Sequence, residues 1–167
     1  MPVPGATGDG AYGASCVVAG GATRADSVRA GLAAVPADAT VIVVHDAARP
    51  LAGPALFAAV IDVVQAGGVD GAVPVVPVSD TLKRISADRV VATVDRDGLV
   101  AVQTPQAFTA GALRAAHASG AEATDDAGLL EAAGLAVAAV DGDPANLKLT
   151  RAEDLALAEA LLAGATA

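Results

Sequence analysis

A run of four β-branched apolar residues, Val41–Val44, constrains the fold of this chain more than any other feature. Apolar and polar residues do not alternate in it, which is typical of a strand buried on both faces of a parallel sheet. The run ends in His45 and Asp46, and residues 47–50 follow as AARP. A carboxylate and a guanidinium therefore come just after the carboxyl end of a buried strand, where open α/β sheets place their ligands.

Strand-like and helix-like patterns alternate along most of the chain. The periodicity and capping signals predict helices over residues 24–35, 54–66, 109–119 and 125–133, and a capping box at residues 150–153 opens a last helix. Strands are predicted over residues 15–19, 41–44, 71–78, 99–102, 135–140 and 146–149. This alternation predicts an α/β sandwich with a mostly parallel sheet.

Residues 81–96 follow a different pattern, because apolar side chains are interleaved there with charge. A plausible turn at residues 86–88 predicts a protruding hairpin rather than a part of the central sheet. The same segment contains Lys83, Arg84, Arg89 and Arg96, in a chain whose net charge is -9. Such a cluster indicates either a solvated hairpin or a segment that acts on an anionic ligand or partner.

Composition excludes several classes of protein. The 167 residues predict one domain, and 54% hydrophobic with only 2% aromatic residues predicts a core of Ala, Val and Leu. The acidic balance argues against a nucleic-acid partner. No apolar run reaches the roughly 18 residues that span a bilayer, so no membrane association is expected. A single cysteine, Cys16, excludes an internal disulfide and favours a cytoplasmic location.

Three charged residues are candidates for a site, each with a structural alternative. Asp46 is placed to hold Mg²⁺ on phosphate oxygens, or it forms a turn or a helix cap. Arg49 binds phosphate or pairs with Asp46. Lys148 offers a compact charge suited to phosphate, or it is an ordinary edge-strand lysine. We expect Asp46 and Lys148 to converge over the same rim of the sheet.

The remaining polar candidates are weaker, and some chemistries are excluded. Thr81, Thr104 and Thr124 each lie where an element begins or ends, where helix caps are common; Thr124 is predicted to cap the helix that follows. His45 is predicted to be a packed or hydrogen-bonded neighbour, and His117 a helix-surface residue. Two histidines and one cysteine do not supply a zinc set, and no G-x-S-x-G, P-loop or G-x-G-x-x-G motif is present.

Taken in order, six segments resemble one family. They are residues 20–27 (GGATRADS), 45–50 (HDAARP), 77–83 (PVSDTLK), 103–108 (QTPQAF), 124–127 (TDDA) and 146–155 (NLKLTRAEDL). The set resembles methylerythritol phosphate cytidylyltransferase of the non-mevalonate isoprenoid pathway, over roughly residues 18–163. That family transfers a cytidylyl group from CTP to 2-C-methyl-D-erythritol 4-phosphate and releases pyrophosphate. The resemblance implies a Rossmann-like three-layer sandwich and a homodimer formed through an arm, residues 79–98.

The resemblance also implies a role for each candidate residue. The nucleotide pocket and the Mg²⁺ would be served by Gly21, Ser27, Asp46 and Ala47, with Asp46 as the metal ligand. The sugar phosphate would be contacted by Arg49, Thr81, Thr104 and Thr124. The catalytic cations would be Lys148 and Arg96, and in the family the arm completes the site of a partner subunit.

The sequence departs from the family in its first residues. The family begins with a strand and a Gly-rich loop that carries an Arg and is followed by a Lys; residues 5–13 have glycines but neither cation. Ala22 stands where the family often has an acidic residue. We therefore expect an N-terminally truncated nucleotidyltransferase with weak or no turnover, since losing one charge-stabilising group costs about 10²–10³-fold in rate. The alternatives are a non-catalytic remnant that only dimerises and a cytidylyltransferase for another polyol phosphate, such as ribitol 5-phosphate.

Overall fold

The computed structural model describes residues 14–121 and 123–165. The predicted N-terminal departure at residues 5–13 lies outside the described residues. The helices are α1 (Arg24–Ala34), α2 (Pro54–Ala66), α3 (Ala110–Ala118), α4 (Asp126–Ala132) and α5 (Ala152–Ala165). The strands are β1 (Val41–Val44), β2 (Gly71–Pro77), β3 (Lys83–Ser86), β4 (Arg89–Thr93), β5 (Val100–Val102), β6 (Gln106–Thr109) and β7 (Val137–Asp141).

The central sheet has the order β1-β6-β2-β5, and β7 pairs with β2. The α/β class is confirmed, but the sheet is not mostly parallel. β2 and β7 are parallel, whereas β1–β6, β2–β6 and β2–β5 are antiparallel. The reason is the connection: β5 and β6 follow the hairpin without a helical crossover, which parallel neighbours require.

Apolar clusters lie on both faces of the sheet and give three layers. On one face Ile42 of β1 packs with α1, α3 and α4 around the fully buried Phe108, Leu113 and Leu130. On the other face Val60 and Val64 of α2 pack against Ala72 and Ala107. Truncating a large residue of the first cluster to alanine costs about 3–5 kcal/mol, because the sheet and three helices share it.

β1 is covered on both faces, as predicted, but it is only partly buried. Ile42 is its buried residue, and the other three are intermediate. Within the described residues β1 lies at the edge of the sheet, with β6 as its neighbour. An edge position exposes one side of a strand even when helices pack above and below it.

Two predicted strands do not form. Residues 15–19 and 146–149 have no pairing with the described sheet. In the second segment the Leu149 backbone N–H donates instead to the carbonyl of Ala48, at 2.7 Å. The predicted capping box of α5 is also wrong, since the Asp154 carboxylate, and not Glu153, accepts from the backbone N–H groups of Thr150 and Arg151.

The hairpin β3–β4 stands apart from the central sheet, as predicted. Its apolar side chains are more than half exposed: Ile85 is 67%, Val90 63% and Val91 55% accessible. Ala87 forms the turn with a φ of 51°. In the described part of the chain no helix is long and apolar enough to cross a membrane.

Candidate functional site

The structure brings Asp46 and Lys148 together. Lys148 Nζ lies 2.8 Å from Asp46 Oδ2, and the two side chains are 46% and 23% exposed, with the lysine the more accessible. Asp46 follows β1 by two residues, and Lys148 lies in the segment between β7 and α5. The expected convergence over one rim of the sheet is therefore present as a direct ion pair.

Backbone contacts tie the Lys148 segment to the loop after β1. Besides the bond between Leu149 and Ala48, Arg49 Nη1 donates to the carbonyl of Asn146 at 2.7 Å. The Arg49 backbone N–H donates to the carbonyl of Asp46 at 2.9 Å, but the guanidinium makes no direct contact with the Asp46 carboxylate, so the ion-pair alternative for Arg49 is wrong. Its guanidinium instead fixes the turn that leads to Lys148.

A buried amide pair holds the same turn against the sheet. Gln103 donates to the carbonyl of Asp143 at 2.8 Å and accepts from its backbone N–H at 3.1 Å. The fully buried Asn146 donates its side-chain amide to the carbonyl of Thr104 at 2.9 Å. Gly142 permits this approach, because a Cβ there would lie 2.8 Å from Gln103 Oε1.

Thr104 and His45 form a hydrogen-bonded chain under Asp46. The backbone N–H of Asp46 donates to Thr104 Oγ1 at 3.0 Å, and Thr104 Oγ1 lies 3.1 Å from His45 Nδ1. His45 Nε2 lies 3.1 Å from the carbonyl of Arg49, which can only accept. In the neutral imidazole Nε2 therefore donates and Nδ1 accepts from the threonine. His45 is a hydrogen-bonded neighbour, as predicted.

These elements surround a cavity of about 440 Å³. Its lining contains three cations and three carboxylates together with uncharged polar groups. The cavity is lined by Arg24, Asp46, Arg49, Val102, Gln103, Thr104, Gln106, Thr124, Asp125, Gly128, Glu131 and Lys148. The predicted residues Asp46, Arg49, Thr104, Thr124 and Lys148 therefore share one cavity.

The electrostatics of the cavity keep Asp46 ionised. Burial by itself would raise the pKa of the Asp46 carboxyl. The hydrogen bond to Lys148 and the positive charges of Lys148, Arg24 and Arg49 outweigh burial and lower this pKa below its ordinary value. Burial lowers the pKa of Arg49, and the charge of Asp46 opposes that change. The cavity thus holds fixed charges of both signs close together.

Thr124 does not cap α4, contrary to the prediction. Asp125 is the cap, and its carboxylate accepts from the backbone N–H of Gly128 at 3.0 Å. The other Asp125 oxygen accepts from Gln106 at 2.8 Å. Asp is as good a cap as Thr, and the chain places Asp125 one residue nearer to the helix. Thr124 is exposed and lines the cavity.

Gly21, Ser27 and Ala47 lie outside the residues that line the cavity. The Ser27 hydroxyl accepts from the backbone N–H of Gly21 at 3.1 Å and donates to the carbonyl of Thr23 at 3.0 Å. A Cβ on Gly21 would lie 2.1 Å from the Cβ of Asp26, so only glycine fits there. Ala47 is exposed next to Asp46.

Thr81 and Arg96 also lie outside the cavity, on the exposed segment that includes the hairpin. Arg96 Nη1 donates to the carbonyls of Val78 and Ser79. Within one chain the structure therefore does not bring these two residues to Asp46 and Lys148.

The sequence analysis missed a second set of polar residues. His117 was predicted on a helix surface, but it is 2% exposed and its Nε2 lies 2.8 Å from Oδ1 of the fully buried Asp126. The helical pattern of α3 does not show that its last turn meets the first turn of α4. Arg24, Gln103, Gln106, Asp125 and Glu131 line the cavity without having been assigned a role.

The chain is similar in sequence to proteins that share one name. A protein from Frankia casuarinae, named 2-C-methyl-D-erythritol 4-phosphate cytidylyltransferase, is 53% identical over 152 residues, which cover 88% of this chain and 56% of the relative. A protein of the same name from Nocardia farcinica is 55% identical over 147 residues, which cover 87% of this chain and 63% of the relative. The chain thus spans between about half and two thirds of the length of these relatives.

A solved structure gives the same result for the fold. The crystal structure of 2-C-methyl-D-erythritol 4-phosphate cytidylyltransferase from Thermus thermophilus superposes with a TM-score of 0.84 at 41% identity. The match covers 96% of this chain and 79% of that chain. The Rossmann-like character of the sandwich is therefore confirmed.

The fold is a Rossmann-like α/β sandwich, and its charged cavity lies near the end of β1, in the region where open α/β sheets bind ligands. The family model for IspD, 2-C-methyl-D-erythritol 4-phosphate cytidylyltransferase, matches residues 10–164. The chain belongs to this family.

Proposed function

We propose that this chain takes part in cytidylyl transfer from CTP to 2-C-methyl-D-erythritol 4-phosphate, with release of pyrophosphate. The observation that supports it most is the ion pair of Asp46 with Lys148 beside Arg49 in one cavity, in a member of this family. Fixed cations in this cavity would favour the negative charge of a phosphorylated ligand.

The reaction needs charge and position more than it needs a covalent nucleophile. A phosphate oxygen of the sugar phosphate attacks the α-phosphorus of CTP in line, a P–O bond forms, and the bond to the pyrophosphate oxygen breaks. Both reactants are anions, so the protein must offset their repulsion. Lys148 is proposed to bind phosphate near the reacting centre, since its ammonium is already held at the rim by Asp46.

Asp46 is the residue proposed to hold Mg²⁺. Mg²⁺ is commonly bound by one or two carboxylates together with substrate phosphates and water. Asp46 fits that pattern, because its lowered pKa keeps the carboxylate ionised and the contact with Lys148 is through Oδ2, which leaves Oδ1 for an ion. Among the described residues no group of three or more Asp, Glu, His or Cys side chains could hold a metal ion, so the proposal depends on Asp46 together with substrate phosphates and water. The ion would neutralise part of the phosphate charge.

The sugar phosphate is proposed to contact Arg49, Thr104 and Thr124, which share the cavity. Arg49 Nη1 donates to the carbonyl of Asn146, and Nε is buried without a partner. Nη2 is therefore the donor that remains for a ligand. Gly21, Ser27 and Ala47 are proposed to bind the nucleoside part of CTP from the neighbouring surface.

Thr81 and Arg96 are proposed to act in the site of a second copy of the chain. Both belong to the arm, residues 79–98, and lie outside the cavity of their own chain. The exposed apolar residues of the hairpin support this proposal, because a homodimer would bury them. The proposed location of the enzyme is the cytoplasm.

The test is pyrophosphate release by residues 1–167 with CTP, Mg²⁺ and methylerythritol phosphate, together with calorimetric binding of each substrate. We expect both substrates to bind. We also expect slow release of pyrophosphate that requires CTP, Mg²⁺ and methylerythritol phosphate together. Binding without release would favour the non-catalytic alternative. Faster release with ribitol 5-phosphate would change the assigned acceptor, and failure to bind CTP would refute the proposal.

A further inference from the structure

Arg24 is a cation of the cavity to which the preceding proposals give no task. It is the first residue of α1, and its side chain is 36% exposed. Its Nη2 donates to Asp126 Oδ2 at 2.6 Å, and Asp126 is fully buried at the first residue of α4. Arg24 therefore joins the cavity to a buried carboxylate.

His117 contacts the second oxygen of the same carboxylate. Its Nε2 lies 2.8 Å from Asp126 Oδ1, and the imidazole is 2% exposed. Because a carboxylate only accepts, His117 Nε2 is the donor. Both oxygens of Asp126 are thus engaged, one by Arg24 and one by His117. A buried carboxylate that lost a partner would be strongly penalised, so the arrangement fixes the position of the guanidinium.

Arg24 still has donors to offer. Its Nε and Nη1 make no hydrogen bond within the described residues, and neither is among the buried polar atoms that lack a partner. The neighbouring Asp125 makes no hydrogen bond to Arg24, and its two oxygens accept from Gly128 and Gln106.

Each of the other two cations of the cavity also has a partner in the protein. Lys148 pairs with Asp46, and Arg49 bonds to Asn146 and keeps its Nε buried. Arg24 lines the same cavity, and its Nε and Nη1 are not engaged by another described residue. A charged N–H donor of this kind suits phosphate, because charge-assisted hydrogen bonds from guanidinium to phosphate oxygens are strong.

We propose that Arg24 binds a phosphate group of the substrate in this cavity, and that Asp126 and His117 position it. This proposal rests on the proposed function in one respect, which is the identity of the substrates that carry the phosphate. The phosphate of CTP and that of the sugar phosphate share the chemistry, and separate titrations of the two distinguish them.

The first experiment compares Arg24→Ala and Arg24→Lys with Arg29→Ala. Arg29 is a matched control, since it lies on the same helix and pairs with a carboxylate, Asp26, but does not line the cavity. Calorimetry measures the Kd of CTP and of methylerythritol phosphate for each variant. Because one charge-assisted hydrogen bond is lost, both Arg24 variants should raise the Kd of one of the two substrates by about tenfold or more. Arg29→Ala should change either Kd by less than about twofold.

The second experiment tests the positioning by His117. Gln places a donor amide where the imidazole Nε2 lies, whereas Leu removes the donor and keeps apolar bulk. We expect His117→Gln to retain the Kd within about twofold, and His117→Leu to weaken the same substrate as Arg24→Ala by about fivefold. Where turnover is measurable, the KM of that substrate should rise more than kcat falls.

Binding and folding are measured on the same variants. Thermal unfolding shows whether a variant is merely less stable. Arg24 variants that lower Tm but leave both Kd values unchanged would show a purely structural ion pair and overturn the proposal. Titration with inorganic pyrophosphate is independent of turnover. Weaker binding to Arg24→Ala than to wild type supports the proposal even if cytidylyl transfer is not the reaction. Equal binding of pyrophosphate, together with unchanged Kd values for both substrates, contradicts it.

Discussion

The cavity rim and the arm of this protein are built in opposite ways. At the rim polar side chains bond to distant segments of the chain, and buried amides such as Gln103 and Asn146 hold the loops that carry the charged residues. On the arm the polar groups bond locally, and Ile85, Val90 and Val91 remain more than half exposed. A site needs preorganised charge, and the rim supplies it within one chain, whereas the proposed role of the arm depends on a second copy that would cover its apolar residues.

The largest expected effect is on the rim, at Lys148. Replacing it with alanine removes the cation held by Asp46, and turnover measured as pyrophosphate release should fall at least about 10²–10³-fold. The control is Lys83→Ala, which removes the other lysine of the chain, a residue of β3 whose Nζ bonds to Thr93. Equal losses in the two variants would refute a special role for the rim lysine.

Substitutions on the arm should weaken dimer formation and leave the stability of the folded chain nearly unchanged. Changing Ile85 and Val90 together to aspartate puts charge on an apolar surface that is exposed in the single chain. Sedimentation velocity should show a dimer replaced by a monomer, with the dimer Kd raised by about tenfold or more, while Tm stays nearly constant. A dimer of unchanged stability would show that the arm is not the interface.

A smaller effect is expected at the buried clamp of the rim. Asn146→Ala removes the donor to the Thr104 carbonyl and leaves that acceptor buried, which should lower the free energy of unfolding by about 1–3 kcal/mol in urea titrations. Thr93→Ala on the arm, which removes an exposed partner of Lys83, is the matched case and should cost less than about 0.5 kcal/mol. Similar costs at the two sites would remove the contrast between rim and arm.

The smallest expected effect is on pH dependence. Because the folded protein lowers the pKa of Asp46, the stabilisation is present above the ordinary Asp value of about 4 and is lost as the pH falls through the lower folded value. The Tm advantage of wild type over Asp46→Asn should therefore shrink on acidification. An advantage that grew as the pH fell would reverse the sign of this interaction.

Helices and strands whose ends are marked by local sequence signals were predictable from the sequence. β1 and α2 have the predicted bounds, because a β-branched run defines the first, and Pro54 and Gly67 bracket the second. The short strand β6 was missed. It begins with Gln106 after Pro105 and spans four residues, and its place between β1 and β2 is set by tertiary pairing.

The site was predictable only in part, for a related reason. Asp46 follows a predicted strand and Lys148 was placed in one, so the rim could be inferred from topology and the family resemblance. The burial of His117 against Asp126 depends on how α3 and α4 meet, which neither helix pattern contains. Gln103 and Asn146 act through backbone groups of distant residues, and sequence patterns do not show such contacts.

The claim on which this account depends is that Asp46 and Lys148 act as one unit on a bound nucleotide. A double-mutant cycle of Asp46→Asn and Lys148→Met, with the Kd of CTP measured by calorimetry in Mg²⁺, tests it most directly. The account predicts that the double variant binds CTP within about threefold of the weaker single variant. Losses that multiply fully in the double variant would contradict it.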